Sequence, residues 1–426
     1  MSLVKKLPQG RLGRLVRYAG LGARTGASLL FSKEDKAVKA AAAQAAEVLG
    51  TMRGLAAKIG QMASYVDGMV PEAQREAYES ALRGLRAAAP QSSPEAIRGV
   101  VEEELGAPID KLFATWEEEP FASASIGQVH RATLEDGREV AVKVQHPGIR
   151  KAVESDLANA GVLQGMARML GPKNLDPKRV FEEVSTRFLE ELDYRLEAER
   201  QRFFIELHRG DAKIRIPEVI GERSAERVIT SELVSGASLE EAAALGEGER
   251  REYAEVLWKF VFKGNLVGGL FNADPHPGNY LFGDGGTITF LDFGCCQPIE
   301  GERLTHAVDL HKAALARDEA EFVRASARIL ETSGGSFEKK AAAYTRRCFE
   351  PLFEDRYAIT RGYVASLVNG IRDMKDEVFA KDGSFRQLPA GMVFMNRLQF
   401  GFYSVLARLD VEAGYAKVER EVLGLG

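Results

Sequence analysis

The stretch FNADPHPGNYLFGDGGTITFLDFG, running from Phe271 to Gly294, constrains this chain more than any other. Pro275 and Pro277 exclude an ordinary helix or a central strand there, because proline fixes φ and lacks the N–H that either ladder needs. A stiff turn therefore holds Asp274, His276 and Asn279 ahead of a short β-branched run, TITF, that delivers Asp292. Three oxygen-bearing side chains, Asp274, Asn279 and Asp292, are thus set on rigid backbone between apolar segments. His276 is read as a local partner of that turn rather than as a metal ligand.

The remaining sequence is that of a globular chain. It has 426 residues, 45% of them hydrophobic and 28% charged, with a net charge of −5. A sizeable core is available, and the charge gives no general attraction to nucleic acid. Cys295, Cys296 and Cys348 lack zinc-site spacing and suit a reducing compartment. No run of eighteen uncharged apolar residues marks a membrane span. Residues 1–31 carry six Lys or Arg and no acid. They read either as a frayed basic tail, as a targeting peptide or as a segment touching a membrane surface. The expected location is cytoplasmic, with a peripheral contact at the inner face of a membrane through residues 1–31 left open.

The order of elements predicts an α+β fold. Residues 33 to 86 read as alanine-rich helix. Ser93 caps and Pro94 opens a further helix that ends near Gly106. Residues 119 to 146 alternate around EDGRE as a β-hairpin with a small-residue loop before it. Helix returns from Ile149 to about Leu170, and one long amphipathic helix is expected from Pro177 to about His208. Short strands follow at IRIPEVI and RVITSELV, and beyond Gly236 the chain is mainly helical. The segments are a basic N-terminus (1–32), a helical extension (33–116), a lobe built on a small sheet (117–235) and a mainly helical lobe (236–426). This is the order of a two-lobed, protein-kinase-like fold.

Phosphoryl transfer needs a cover for the phosphates, a lysine on them, an acid to hold that lysine, a base and metal ligands. Lys143 ends VAVK, and strand alternation turns it away from Val142 and Val144 towards the loop of residues 121–128. Glu190, Asp193 and Glu197 share one side of the expected long helix, with Glu191 about 100° from Glu190. One of these acids should hold Lys143, and Glu197 completes the candidate catalytic set. Asp274 and Asn279 are five residues apart, the Asp-to-Asn spacing of a kinase catalytic loop. Asp274 would orient or accept a proton. Asn279 and Asp292 would be the metal residues, since Mg2+ takes few protein ligands where phosphate oxygens complete its shell.

The motifs KIGQ (Lys58 to Gln61), ASASIGQVH, VAVK, ELDY…EA, ADPHPGN and LDFG resemble those of the UbiB family, the AarF/ADCK group of atypical kinase-like proteins. They occur in family order from residue 58 to 294, and the terminal LQFGFYSVLARL is similar as well. The resemblance implies a kinase fold with a phosphate-covering loop of Ala and Ser, and an extension whose KxGQ helix lies over the site of a protein substrate. It also implies an ATPase with poor protein-kinase activity that supports ubiquinone or other isoprenoid-lipid biosynthesis or handling. Leu55, Ile59, Met62 and Val66 form an apolar stripe, with Lys58 and Gln61 together on its flank. Lys58 would meet Glu191 or Asp193 as a gate.

The implied cofactors are ATP (or ADP) and Mg2+. Nucleotide-binding residues are Ala122, Ser123, Ala124, Ser125, Gly127, Val129, Ala141 and Lys143. By kinase architecture the adenine lies under TSELV, against backbone of Glu232 and Val234, with Thr230 or Ser231 as its gate. The family's loop usually reads as an unbroken alanine run, and Ser123 interrupts it here, which bears on nucleotide preference. The alternatives to an ATPase are a kinase for a protein or small molecule, and a nucleotide-sensing scaffold without turnover. The partners expected are a nucleotide and a lipid or quinone-pathway component, with no nucleic acid.

Overall fold

The computed structural model describes residues 92–425, apart from 125, 156, 158–176, 300 and 374–391. The basic N-terminus, Lys58, Gln61, Ser125 and most of the helix expected up to Leu170 lie outside the described residues.

The first lobe is built on alternation. Helix α1 (Pro94–Leu105) starts where the Ser93 side chain accepts from the Ala96 N–H, and it stops at Gly106 in the left-handed region. Strands β1 (Thr115–Trp116) and β2 (Ala122–Ser123) both pair with β3 (Gly127–Thr133), which forms the expected hairpin with β4 (Glu139–Gln145). Gly137 turns it with a φ of 87°, which glycine reaches without strain. Val140, Val142 and Val144 point to one face, fully buried against Ile97, Val100 and Val101 of α1. Each such valine contributes about 1.5–3 kcal/mol. Their alternates, Ala141 and Lys143, are thereby turned to the opposite face. Helix α1 thus completes the core of this lobe, together with Ile109 and Leu112 of the short helical turn after it.

The single long helix expected from Pro177 to His208 is instead two helices, α2 (Pro177–Glu190) and α3 (Tyr194–Leu207). The break has local causes. The Asp193 side chain accepts from the Arg195 N–H as the cap of α3. The Leu192 carbonyl accepts from the side chain of Gln145, the last residue of β4. The Tyr194 N–H donates to the Glu226 carbonyl. A helical register shared by Glu190, Asp193 and Glu197 is therefore lost.

Strands β5 (Ile214–Arg215) and β6 (Val228–Glu232) also part company. β6 pairs with β4, but β5, from IRIPEVI, crosses to the second lobe. There β8 (Tyr280–Gly283) and β9 (Thr287–Phe290) form an antiparallel pair, and β5 joins β9 in parallel. β7 (Leu270–Asn272) pairs with β10 (Cys296–Pro298). These strands lie on a helical core around α4 (Glu247–Leu266), where Trp258 donates to the buried carboxylate of Glu419. Ala237 exchanges two backbone hydrogen bonds with Phe282, which fastens the chain to the second lobe just after it leaves β6. No helix among the described residues is long and apolar enough to cross a membrane.

Gly127 sets how closely the hairpin approaches α3. A Cβ there would lie 2.3 Å from the Val144 carbonyl oxygen and 3.0 Å from the Tyr194 hydroxyl. Gly127→Ala is expected to cost about 1–3 kcal/mol by overpacking. The loss should appear as a lower urea midpoint with an unchanged slope.

Candidate active site

Lys143 is the centre of the site. Its Nζ lies 2.7 and 3.0 Å from the two carboxylate oxygens of Glu197 and 3.2 Å from Oδ2 of Asp292. The Tyr194 ring faces the same ammonium at 5.0 Å from its centroid, a cation–π contact. One cation from β4 thus joins an acid on α3 and an acid that follows β9.

The competing acids on α2 and α3 have other work. Glu190 binds both Arg187 and Arg200. Those two arginines in turn donate to the carbonyls of Cys296 and Gly294, just past Asp292. Asp193 caps α3 and pairs with Arg195. Glu191 is buried, and it lies outside the cleft together with Asp193. Glu197 alone of these acids reaches Lys143, one turn into α3.

The proline-rich turn is braced at both ends. Pro277–Asn279 is a short 3-10 turn, and His276 caps it by accepting the Gly278 N–H on Nδ1, as a local partner should. The Asn279 amide Nδ2 donates to the Asp274 carbonyl at 3.0 Å, so its Oδ1 takes no part in that bond. The Asp292 carboxylate accepts from the Gly294 N–H, and Phe293 is buried against Phe204 of α3. Asn272, which sequence reasoning missed, links the two halves: its Nδ2 donates to the Asp292 carbonyl at 2.6 Å and its Oδ1 accepts from the Asp274 N–H at 3.0 Å. Its only sequence signal was its place at the end of a strand, two residues before Asp274.

Between the lobes lies a cavity of about 630 Å³. Ala122, Ser123 and Ala124 of the loop, Val129, Ala141 and Lys143 of the hairpin, Glu232 at the end of β6 and Val234 just after it all line it, as expected. Glu197, Asp274, Asn279 and Asp292 line it as well. Gly127 does not: it is enclosed between Val144 and Tyr194, so its role is packing rather than contact with a ligand. Of the two gate candidates, Ser231 faces the cavity, whereas Thr230 is fully buried with its hydroxyl donating to the Arg223 carbonyl. The N–H groups of Glu232 and Leu233 are bonded to the Glu218 and Glu139 carbonyls. The Val234 N–H has no backbone acceptor among the described residues. Gly401, on helix α5 (Met392–Leu409), also reaches the cavity; a Cβ there would lie 2.6 Å from Pro275 Cγ. Nothing in the local sequence connects Gly401 with a loop more than a hundred residues earlier.

Burial lifts the Glu197 carboxyl to about 7, against the pull of the Lys143 ammonium and with the push of the Asp292 charge. Burial likewise disfavours the charge on Lys143, but Asp292 and Glu197 more than restore it and hold its pKa well above the usual lysine value. Lys143→Met removes the one influence that keeps Glu197 down. An acid whose native pKa exceeds its unfolded value loses stability as pH rises from the unfolded value through the native one. The variant is therefore expected to be about 3 kcal/mol less stable than the parent at pH 8. The deficit should be clearly smaller at pH 5, as measured by urea midpoints at both values.

Residues 84–326 match the model of the ABC1 atypical kinase-like domain. Atypical kinase COQ8B, mitochondrial, of Rattus norvegicus is 31% identical over 358 residues, which cover 80% of this chain and 66% of that protein. Uncharacterized protein Rv0647c of Mycobacterium tuberculosis is 39% identical over 234 residues, 53% of this chain and 47% of that one. The chain matches less than two thirds of the length of either relative. Among solved structures, that of Rv3197 with erythromycin, from Mycobacterium tuberculosis, aligns with a TM-score of 0.62 at 27% identity, over 88% of this chain and 94% of that one. The family model covers more than half of the sequence and the lobes take the kinase-like arrangement, so the chain belongs to the ABC1 atypical kinase-like family, the UbiB/AarF/ADCK group.

Proposed function

We propose that this chain binds ATP (or ADP) with Mg2+ in the cleft between its lobes and hydrolyses ATP, in support of ubiquinone or other isoprenoid-lipid biosynthesis or handling. The observation that carries the reading is the meeting of Lys143, Glu197 and Asp292 in one ion cluster, on a cavity that Asp274 and Asn279 also line. Lys143, oriented by Glu197, would hold the phosphates as a fixed cation. Asn279 and Asp292 have the donor types that suit Mg2+ beside phosphate oxygens; bound there, the ion would neutralise developing charge. Among the described residues no three acidic, His or Cys side chains gather as a metal cage, so phosphate would have to complete its shell. Asp274 would orient the attacking water and take its proton. The backbone of Glu232 and Val234 would meet the adenine edge.

Hydrolysis is preferred to transfer on the motif resemblance, in which the KxGQ helix lies over the site of a protein substrate. The lipid or quinone half of the reading rests on the motif resemblance, as does the gate in which Lys58, beside Gln61, would meet Glu191 or Asp193. The reading places the protein in the cytoplasm, with residues 1–31 as its contact with a membrane surface.

ADP release measured with and without Mg2+, and with added phospholipid vesicles, tests the reading. Asp292→Asn is expected to lower the rate about a hundredfold or more; undiminished turnover in that variant would remove the site assignment. Asn272→Ala, which uncouples the Asp274 and Asp292 segments, is expected to lose about 10–100-fold in apparent Mg2+ affinity, read from a Mg2+ titration of the rate. Transfer of labelled γ-phosphate to a protein or small molecule in preference to water would move the reading to a kinase.

A further inference from the structure

A second cavity, of about 350 Å³, lies at the far end of α3. It shares no lining residue with the cleft between the lobes. Glu197, near the start of α3, lines that cleft, whereas Ile205 and His208, at the end of the helix and just past it, line the second cavity. Residues 209–212, strand β5 with Ile216, and Thr287 form its other walls.

His208 departs from the rule that buried polar groups are bonded. It is 3% exposed, yet neither ring nitrogen has a hydrogen-bond partner among the described residues. Its ring packs nearly parallel to those of Phe204 and Phe260, at 6.3 and 5.0 Å between centroids, a contact that a phenylalanine would make as well. Burial pushes its pKa down to about 3, so at neutral pH the ring is uncharged and offers one N–H and one bare nitrogen. The backbone adds a second donor. The Ile288 N–H bonds the Lys213 carbonyl, so the parallel register turns the backbone of Lys213 and Arg215 towards β9 and that of Ile214 away from it. The Ile214 N–H has no backbone acceptor among the described residues.

The fixed charges favour an anion. Those that bear on His208 are the ammonium groups of Lys259 and Lys263 and the carboxylate of Asp211. Asp211 is already taken by Lys259 at 2.6 Å and by the Lys213 N–H at 3.0 Å, which leaves the Lys263 charge over. Arg209 and Arg215 line the cavity and are largely exposed. Arg209 pairs with Glu206, and Arg215 stands only loosely, at 3.8 Å, from Glu232.

We propose that this cavity binds a small organic acid, whose carboxylate accepts from His208 and Arg215 while its apolar part lies along Ile205, Ile214 and Ile216. A few convergent polar groups on apolar walls, in a volume at the lower end of small-molecule sites, are what such a ligand requires. Inorganic phosphate would meet the donors but leave the isoleucines uncovered. The site is separate from the nucleotide cleft, and its occupancy does not depend on the nucleotide reading.

Ligand-observed NMR titration of the full chain with benzoate tests this, with benzamide and inorganic phosphate as comparisons. Benzoate is expected to bind about tenfold more tightly than either. His208→Phe keeps the ring packing and removes both nitrogens. It is expected to weaken benzoate about tenfold or more, and at the same time to raise the urea midpoint of the free chain, because two buried unpartnered atoms are gone. Lost affinity with gained stability separates holding a ligand from holding the fold. Arg215→Gln, at an exposed position, is expected to weaken benzoate about threefold and serves should His208→Phe fail to fold. The absence of saturable benzoate binding by the parent chain overturns the proposal, as does equal affinity for benzamide or phosphate. So does a benzoate affinity unchanged in His208→Phe, or in Arg215→Gln where the first variant does not fold.

Discussion

The candidate site depends on one half-buried ion cluster, in which Lys143 stands between Glu197 and Asp292. It joins three separate elements: β4 of the first lobe, helix α3, and the segment after β9 of the second lobe. The Glu197 carboxylate is almost wholly shielded from water, and a charge placed there is costly unless it meets its partner, so the three elements must arrive together. The packing around the cluster serves that end. Three valines of β4 hold one face of the strand in the core and leave Lys143 on the other. The bonds of Leu192, Asp193 and Tyr194 start α3 at a point that puts Glu197 within reach. Phe293 anchors its neighbour Asp292 by its own burial against Phe204.

A second layer aligns the proline-rich loop with this cluster. Asn272 binds the backbone on both sides, at Asp274 and at Asp292, and so ties the candidate base to a candidate metal residue. Arg187 and Arg200, both held by Glu190, grip the carbonyls just past Asp292. From the other side, α5 brings Gly401 up to Pro275, where only a residue without a Cβ fits. Helices, strands and loop thus converge on backbone atoms as much as on side chains. Such contacts hold a site in place without adding charge to it.

Much of this was legible in local patterns. The Ser93 cap, the Gly106 stop, the hairpin at EDGRE and the strand TITF follow from turn chemistry and alternation, which act over a few residues. The same patterns misled where distant contacts outweighed them. A continuous amphipathic run suggested one helix across Glu190, Asp193 and Glu197, but Gln145 and Glu226, far away in sequence, bind the backbone that breaks it. IRIPEVI reads as a short strand within the first-lobe segment 117–235, and only the parallel pairing of Ile214–Arg215 with β9 shows that it joins the sheet of the second lobe. Gly127 looked like part of a phosphate loop, yet its constraint is the approach of Val144 and Tyr194.

The sequence by itself determined the chemical inventory: a lysine on a strand, an aspartate and an asparagine on a proline-stiffened turn, and an aspartate after a strand, in an order that marks the family. Those features are encoded by residue type and short spacing, which need no tertiary contact to be read. The tertiary structure decided which acid holds Lys143, that Asn272 couples Asp274 to Asp292, and that Gly401 borders the same cavity. It also decided that Ser231, and not Thr230, faces the cleft. Each of these is a choice among chemically similar candidates. Only the distances between elements remote in sequence can make it, because ion pairing and close packing act over a few ångströms, whatever the separation along the chain.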